Sequence, residues 1–258
     1  MFDDSPPYIA HGVIMSKMQF DPRTVARDIP GIFDVVFPQL TPGLVAHFNR
    51  NATYVETEPV DSSLIDSSRL QAAMLSELGF ALAERKLIGG AEDWDVCLRS
   101  AVERQKRHYD AVIPDSLTDD DKAAASALAE NLVAMIQKMT LDLGGVPRLA
   151  PRVPGFEWIA TGVGDIAINS TLVEVKFGSR RFSSADYRQV VVYWLLNHLN
   201  SLEDASQNWV EFVLLNPKLG WSVRVKFGTF LNMISSGRTT VEMAQVFASL
   251  ISTRCDKN

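Results

Sequence analysis

The chain has 258 residues, of which 47% are apolar and 22% charged, and its formal net charge at pH 7 is −6. This length and composition predict a globular protein with a substantial core, in one large or two modest domains. No stretch approaches the about 18 apolar residues that a membrane-spanning helix requires, so no membrane partner is expected. The two lone cysteines, Cys97 and Cys255, and an acidic start without a basic leader indicate a cytoplasmic protein.

The first part of the chain, residues 1–117, is predicted to be largely helical. Residues 1–60 are expected to be irregular because prolines limit helix length, among them Pro22, Pro30, Pro38, Pro42 and Pro59. A helix is predicted over 66–87, with Ser68 and Gln71 as a capping box, and a second helix over 92–109. Because no chemical motif stands out here, this region is assigned to recognition or assembly.

A third helix is predicted over 118–139. Thr118 can cap it, three aspartates occupy its first turn, and its apolar residues share one face. These are Leu128, Leu132, Met135, Ile136 and Met139. Glu130 lies opposite this stripe, which indicates an exposed side chain. Glycines and prolines between 144 and 154 then lead into a sheet, whose first strand is predicted at 155–160.

Two short apolar segments, 165–168 and 172–177, predict a pair of β-strands joined at Asn169 and Ser170. In that register Asp165 faces Glu174. Two opposed carboxylates repel each other unless a cation lies between them. Lys176 shares the face of Glu174 because side chains alternate along a strand. Two acids and a lysine converging on a sheet edge predict a divalent-metal site.

The rest of the chain supplies further elements of a sheet flanked by helices. A helix is predicted over 183–200, although 190–193 also suits a buried strand. A hairpin is predicted from 209–215 and 221–227, and Thr239 with Glu242 caps a closing helix that ends near 252. This order predicts an α/β fold with a mixed central sheet flanked by helices.

The site residues carry a family resemblance. Asp165 followed by Glu174-Val175-Lys176 resembles the D…ExK signature of the PD-(D/E)XK nuclease superfamily. Gln189 and Tyr193 are similar to the QxxxY motif of its RecB-like branch. The resemblance covers 150–200 well and 205–230 loosely, and implies a restriction-endonuclease-like core over 118–258.

The resemblance also implies roles for individual residues. Asp165, Glu174 and the backbone carbonyl of Val175 would hold Mg²⁺ or Mn²⁺, and Lys176 would act on the attacking water. Gln189 is expected to line the site. A helix acid often joins such sites, for which Glu130 is the weak candidate.

Basic and aromatic residues behind the motif are the candidates for binding nucleic acid. Arg180, Arg181 and Arg188 could contact phosphates, although a plain surface role is an equal alternative. Tyr193 could touch the substrate backbone or belong to the core.

The predicted activity is metal-dependent hydrolysis of phosphodiester bonds in nucleic acid. DNA is the expected substrate, and RNA stays open. Stand-alone domains of the resembled branch often occur in phage-defence or mobile-element systems. The alternative is a non-catalytic nuclease-like subunit that binds nucleic acid or supports a larger complex, and protein partners or a homo-oligomer stay open. Relief of the carboxylate repulsion predicts that Asp165→Asn leaves the metal-free protein as stable, or up to about 1 kcal/mol more stable.

Overall fold

The computed structural model describes residues 19–28, 32–54, 57–106, 112–201 and 208–255. The helices are α1 (Pro22–Asp28), α2 (Ile32–Val36), α3 (Pro42–Arg50), α4 (Ser62–Ser67), α5 (Ala72–Leu87), α6 (Trp94–Gln105), α7 (Asp119–Leu143), α8 (Ser184–Ser201), α9 (Phe227–Ile234) and α10 (Thr240–Cys255). The strands are β1 (Thr53–Tyr54), β2 (Pro147–Leu149), β3 (Arg152–Val153), β4 (Gly162–Val163), β5 (Ile166–Ile168), β6 (Thr171–Val175), β7 (Glu211–Asn216) and β8 (Trp221–Lys226).

The main sheet has six strands in the order β1-β8-β7-β6-β5-β2. Strands β6 and β7 are parallel and are connected through α8, whereas every other neighbouring pair is antiparallel. Strands β3 and β4 form a separate pair. The predicted α/β class, with a mixed sheet, flanking helices and a mainly helical N-terminal region, is confirmed.

A hydrophobic core lies on each face of the sheet because side chains alternate along the strands. Leu172 of β6 belongs to a core shared with α1, α2, α3, α8, α9 and α10. Val173 and Val175, which point the other way, belong to a core shared with α5, α6 and α7. Glu174 therefore points to the α8 side. Both cores combine residues from before and after position 117, and the domain division at 117/118 stays a prediction.

The predicted hairpin of β5 and β6 is confirmed in its register. Ile168 pairs with Thr171, so Asn169 and Ser170 form the two-residue turn. Asn169 has a φ of 51°, a backbone conformation that asparagine adopts more readily than most residues. Its side-chain amide donates to the carbonyls of Leu143 and Gly144 at the end of α7. The turn is thus tied to the helix that precedes the sheet.

One strand predicted from local pattern is wrong, and one predicted helix begins later than expected. Residues 155–160 form no continuous strand, because the chain turns where Phe156 bridges to Ile159 and Glu157 takes a φ of 54°. The helix expected over 66–87 is interrupted: α5 confirms it over Ala72–Leu87, whereas residues 66 and 67 belong to α4. Ser68 donates to the Asp121 carboxylate of α7 instead of capping a helix with Gln71, so a tertiary contact replaces the local one.

Several element boundaries also differ from the predictions. Helices α1 and α3 form within the segment expected to be irregular, because Pro22 and Pro42 stand at their first positions, where proline has no N–H to lose. Helix α9 was not predicted. Helix α6 ends at Gln105, and the predicted extension to 109 lies outside the described residues. The described part of the chain contains no helix of the length and apolarity needed to cross a membrane.

Candidate active site

The structure brings together the four residues of the predicted catalytic motif. Asp165 directly precedes β5, Glu174 lies in β6, Lys176 follows β6, and Gln189 projects from α8. The hairpin register places the two acids on adjacent strands, and α8 packs on the face to which Glu174 points. The prediction that Lys176 lies on the same face as Glu174 is confirmed, because these two side chains contact each other.

Glu174 is the centre of a hydrogen-bond network. Its side chain is fully buried. The backbone N–H of Asp165 donates to Oε1 at 3.1 Å, and the Gln189 side-chain amide donates to Oε2 at 2.6 Å. Lys176 Nζ lies 3.5 Å from Oε2 and donates to Gln189 Oε1 at 2.9 Å. Gln189 therefore links the acid to the lysine.

Asp165 is paired with an arginine from the N-terminal region. Arg23 Nη2 of α1 donates to Asp165 Oδ1 at 2.6 Å, and the Val175 N–H donates to Oδ2 at 2.8 Å. Arg23 Nε donates to the Tyr193 hydroxyl at 2.9 Å, and that hydroxyl also accepts from Gln189 at 3.0 Å. The cation expected between the two acids is thus supplied by Lys176 on one side and by Arg23 on the other.

The two carboxyl groups differ in acidity. Burial raises the pKa of Glu174 to about 8, and the negative charge of Asp165 acts in the same direction. Burial also favours the neutral form of Asp165, but the charges of Arg23 and Lys176, with the Val175 N–H, together hold its pKa below the ordinary value. Asp165 is therefore the charged member of the pair at neutral pH. Its charge also raises the pKa of Arg23, which stays a cation.

The donor set suits a hard divalent cation in kind. Mg²⁺ and Mn²⁺ take carboxylate and carbonyl oxygens, and Mg²⁺ keeps several waters, so two carboxylates and one carbonyl are sufficient protein ligands. Among the described residues, no group of three or more His, Cys, Asp and Glu side chains is arranged to hold a metal ion. Each oxygen of Asp165 and Glu174 accepts a hydrogen bond from the protein. A bound cation would share these oxygens with the protein donors or displace them, and the donor that it would repel on Asp165 is the Arg23 guanidinium.

The predicted nucleic-acid-binding residues occupy different environments. Tyr193 is buried, with only its hydroxyl in the network of the site. Arg181 stacks on Trp221, with the guanidinium carbon 4.6 Å from the ring centroid, and donates to the Asn49 carbonyl. The Arg188 guanidinium carbon lies 5.7 Å from the centroid of Phe33. Arg180 is exposed on the loop after β6. Their binding to nucleic acid stays a prediction.

Glu130 lies away from this network. Its side chain is 68% exposed and pairs with Lys86 at 3.4 Å, in agreement with its position opposite the apolar stripe. Helix α5 supplies Glu77 and Glu84, and the charge of Asp165 is among the causes that raise the pKa of both, after burial. Both are paired with Arg104 of α6. They form a separate ion cluster beside the site.

Sequence reasoning missed Arg23. It lies 142 positions before Asp165, in a segment where no periodicity or motif marks it. The one local signal was Asp21 directly before Pro22, which is a common start of a helix; the Asp21 carboxylate accepts from the Arg23 N–H at 2.7 Å. That signal predicts a helix, but it does not predict which distant residues the side chains of the helix contact.

Comparison of this chain with models of protein families, with curated proteins and with solved structures finds no match.

Proposed function

We propose that the protein is a divalent-metal-dependent nuclease of the PD-(D/E)XK type, with a restriction-endonuclease-like core, that hydrolyses phosphodiester bonds in nucleic acid. DNA is the first substrate to test. The observation that carries the proposal is the joining of Asp165, Glu174, Lys176 and Gln189 by hydrogen bonds at one end of a β-hairpin. These residues match the order and spacing of the resembled motif and also meet in space.

Asp165, Glu174 and the Val175 carbonyl would hold the metal. A bound divalent cation stabilises charge that develops on the phosphate and lowers the pKa of a water ligand. The protein's own contribution lies in holding the surrounding groups still. Gln189 fixes the Glu174 carboxylate and the Lys176 amine through one side-chain amide, so these groups keep one relative arrangement.

Lys176 is the group placed to act on the reacting atoms. Its side chain is 22% exposed, whereas Glu174 is fully buried, so the amine can meet a substrate from solvent. An ammonium at this position can orient the attacking water and stabilise negative charge on the phosphate. The hydrogen bond from the Lys176 amine to Gln189 of α8 also restricts the rotation of the lysine side chain.

The test is incubation of the purified protein with Mg²⁺ or Mn²⁺ and single- and double-stranded forms of DNA and RNA. Cleavage that requires the cation and is lost in Asp165→Asn supports the proposal. Undiminished cleavage by a well-folded Asp165→Asn protein contradicts the assignment of the site.

One observation favours the second candidate, a non-catalytic nuclease-like subunit. Arg23 already neutralises Asp165, so the acid pair is compensated without a metal. A non-catalytic protein could retain this arrangement for stability alone. Absence of any divalent-cation effect on cleavage and on melting temperature would favour this candidate.

A further inference from the structure

Arg23 belongs to a helix that the rest of the molecule fixes in place. The Phe20 N–H donates to the Trp158 carbonyl, and the Ala160 N–H donates to the Phe20 carbonyl. The ring of Pro22 lies so close to Gly162 that a Cβ there would come within 2.9 Å of it. Val25 and Ala26 are fully buried in the core shared with α8. The position of Arg23 over the acids is therefore built into the fold.

The Arg23 guanidinium makes two contacts, and a competing divalent cation would weaken one of them more than the other. Nη2 bonds the charged Asp165 carboxylate, and Nε bonds the neutral Tyr193 hydroxyl. A divalent cation competes for the carboxylate, whereas a phenol is a poor ligand for Mg²⁺ or Mn²⁺ while it keeps its proton. Burial raises the pKa of Tyr193 well above its ordinary value, so the proton stays. Loss of the Asp165 contact would leave the guanidinium anchored beside the site.

Arg23 is also the most accessible charged group of the site. Its side chain is 40% exposed, compared with 12% for Asp165 and 22% for Lys176. Its side-chain contacts within the described part of the chain use two of its five N–H groups. A planar guanidinium, which presents several N–H donors in one plane, matches the oxygens of a phosphodiester better than an ammonium does.

From these observations we infer that Arg23 is a phosphate-binding residue, released from Asp165 when a divalent cation takes that carboxylate. The inference rests on the proposed function and deepens it. It adds Arg23, a residue of the N-terminal region, to the motif residues between 165 and 189. The binding of metal and the binding of nucleic acid are then thermodynamically linked, because the metal frees Arg23 to bind a phosphate.

The experiment uses the full chain and two readouts that do not depend on turnover. Mn²⁺ affinity is measured by calorimetry without nucleic acid, and affinity for a labelled DNA duplex is measured with Ca²⁺. The variants are Arg23→Gln and Arg23→Lys. Arg27→Gln is the matched control, because Arg27 is an exposed arginine of the same helix. Circular dichroism and melting curves check that each variant is folded.

Arg23→Gln is expected to bind Mn²⁺ about tenfold or more tightly than wild type, because its competitor is gone, and to bind DNA about tenfold or more weakly. Arg23→Lys should fall between, since it keeps the charge but loses the planar fork. Arg27→Gln should resemble wild type in both measurements.

Unchanged or weaker Mn²⁺ binding by folded Arg23→Gln, or unchanged DNA binding, overturns the inference. If the wild type still cleaves with Mn²⁺ and Asp165→Asn does not, only the role of Arg23 fails. If neither wild type nor Arg23→Gln binds Mn²⁺, both the inference and the proposed function fail.

Discussion

Among the described residues, two pairs of neighbouring acidic side chains are each contacted by basic side chains. Glu77 and Glu84 lie seven residues apart on α5, and Arg104 of α6 contacts both. Asp165 and Glu174 lie at the end of a β-hairpin, with Arg23 on the first acid and Lys176 on the second. The helical pair contacts a single cation, whereas the hairpin pair receives backbone N–H donors and cations from separate segments.

The electrostatic consequence separates the two pairs. Burial raises the pKa of both Glu77 and Glu84, and Arg104 offsets part of that rise. In the hairpin pair the pKa of Asp165 is lowered while that of Glu174 is raised to about 8. Two acids whose environments move their pKa values apart are candidates for a functional site. On the proposed function, we expect the hairpin pair to carry the chemistry and the α5 pair to contribute to stability.

The largest expected effect is on the rate of cleavage, which should depend on the hairpin pair and not on the helical pair. Asp165→Asn, Glu174→Gln and Lys176→Ala should each lower metal-dependent cleavage about 100- to 10,000-fold, because each removes a group placed at the reacting atoms. Glu84→Gln, the control from the helical pair, should change the rate less than about threefold, since no reacting group is lost. Rates with Mn²⁺ and circular dichroism measure this. An equal loss in Glu84→Gln would erase the distinction.

The second effect separates the two side chains of α8 that meet the hairpin pair. Tyr193→Ala should lower the free energy of unfolding by about 2–5 kcal/mol, because a buried ring leaves a cavity. Gln189→Ala should cost less stability, about 1–3 kcal/mol for a buried Glu174 carboxyl oxygen that loses its donor, and should lower cleavage strongly. Denaturant unfolding and rates decide between them. Full activity of Gln189→Ala would remove this residue from the site.

The third effect concerns the helical pair. Arg104→Met should lower the free energy of unfolding by about 1–3 kcal/mol at pH 8, below the loss for a fully buried pair, because all three side chains are partly exposed. The response of the melting temperature to Mn²⁺ should stay as in wild type. A lost response would show that Arg104 supports the hairpin site.

The fourth effect reverses an expectation drawn from the sequence. Relief of repulsion predicted that Asp165→Asn would leave the metal-free protein as stable or more stable. Because Arg23 contacts the Asp165 carboxylate, the substitution instead leaves that arginine without its charge partner. We now expect a loss of about 1 kcal/mol, since Arg23 is partly exposed.

Melting curves with chelator and with Mn²⁺ measure both parts of this prediction. Mn²⁺ should raise the melting temperature of wild type much more than that of Asp165→Asn, because only the intact acid pair offers the ion its ligands. Equal Mn²⁺-induced shifts in the two proteins would show that the ion binds elsewhere.

The smallest effect is a pH dependence from the helical pair. A carboxyl group whose pKa is raised on folding binds its proton more tightly in the folded state, so its contribution to stability is lost as pH rises from the unfolded value of 4.5 through the folded one. Glu84→Gln should therefore be less stable relative to wild type at pH 4.5 than at pH 8. The difference should be small, because Arg104 offsets part of the shift. Unfolding curves at the two pH values measure it, and the opposite sign would contradict the raised pKa.

The parts of the fold that could be predicted from the sequence are those set by neighbours along the chain. The register of β5 and β6 follows from a two-residue turn, and the start of α7 follows from Thr118 with Asp121. The same holds for α10, where Thr239 and Glu242 bond each other. The candidate catalytic motif was found for this reason too, since all its residues lie between 165 and 189.

What only the tertiary structure decided involves partners distant in sequence. Ser68 bonds Asp121 of α7, which divides a helix that local pattern made continuous. Arg23 contacts Asp165 from 142 positions away in the chain. The sequence therefore could not predict the charge state of the acid pair or whether Asp165→Asn raises or lowers stability. The physical reason is that a hydrogen bond between remote segments depends on how helices pack on the sheet, and no spacing along the chain records that packing.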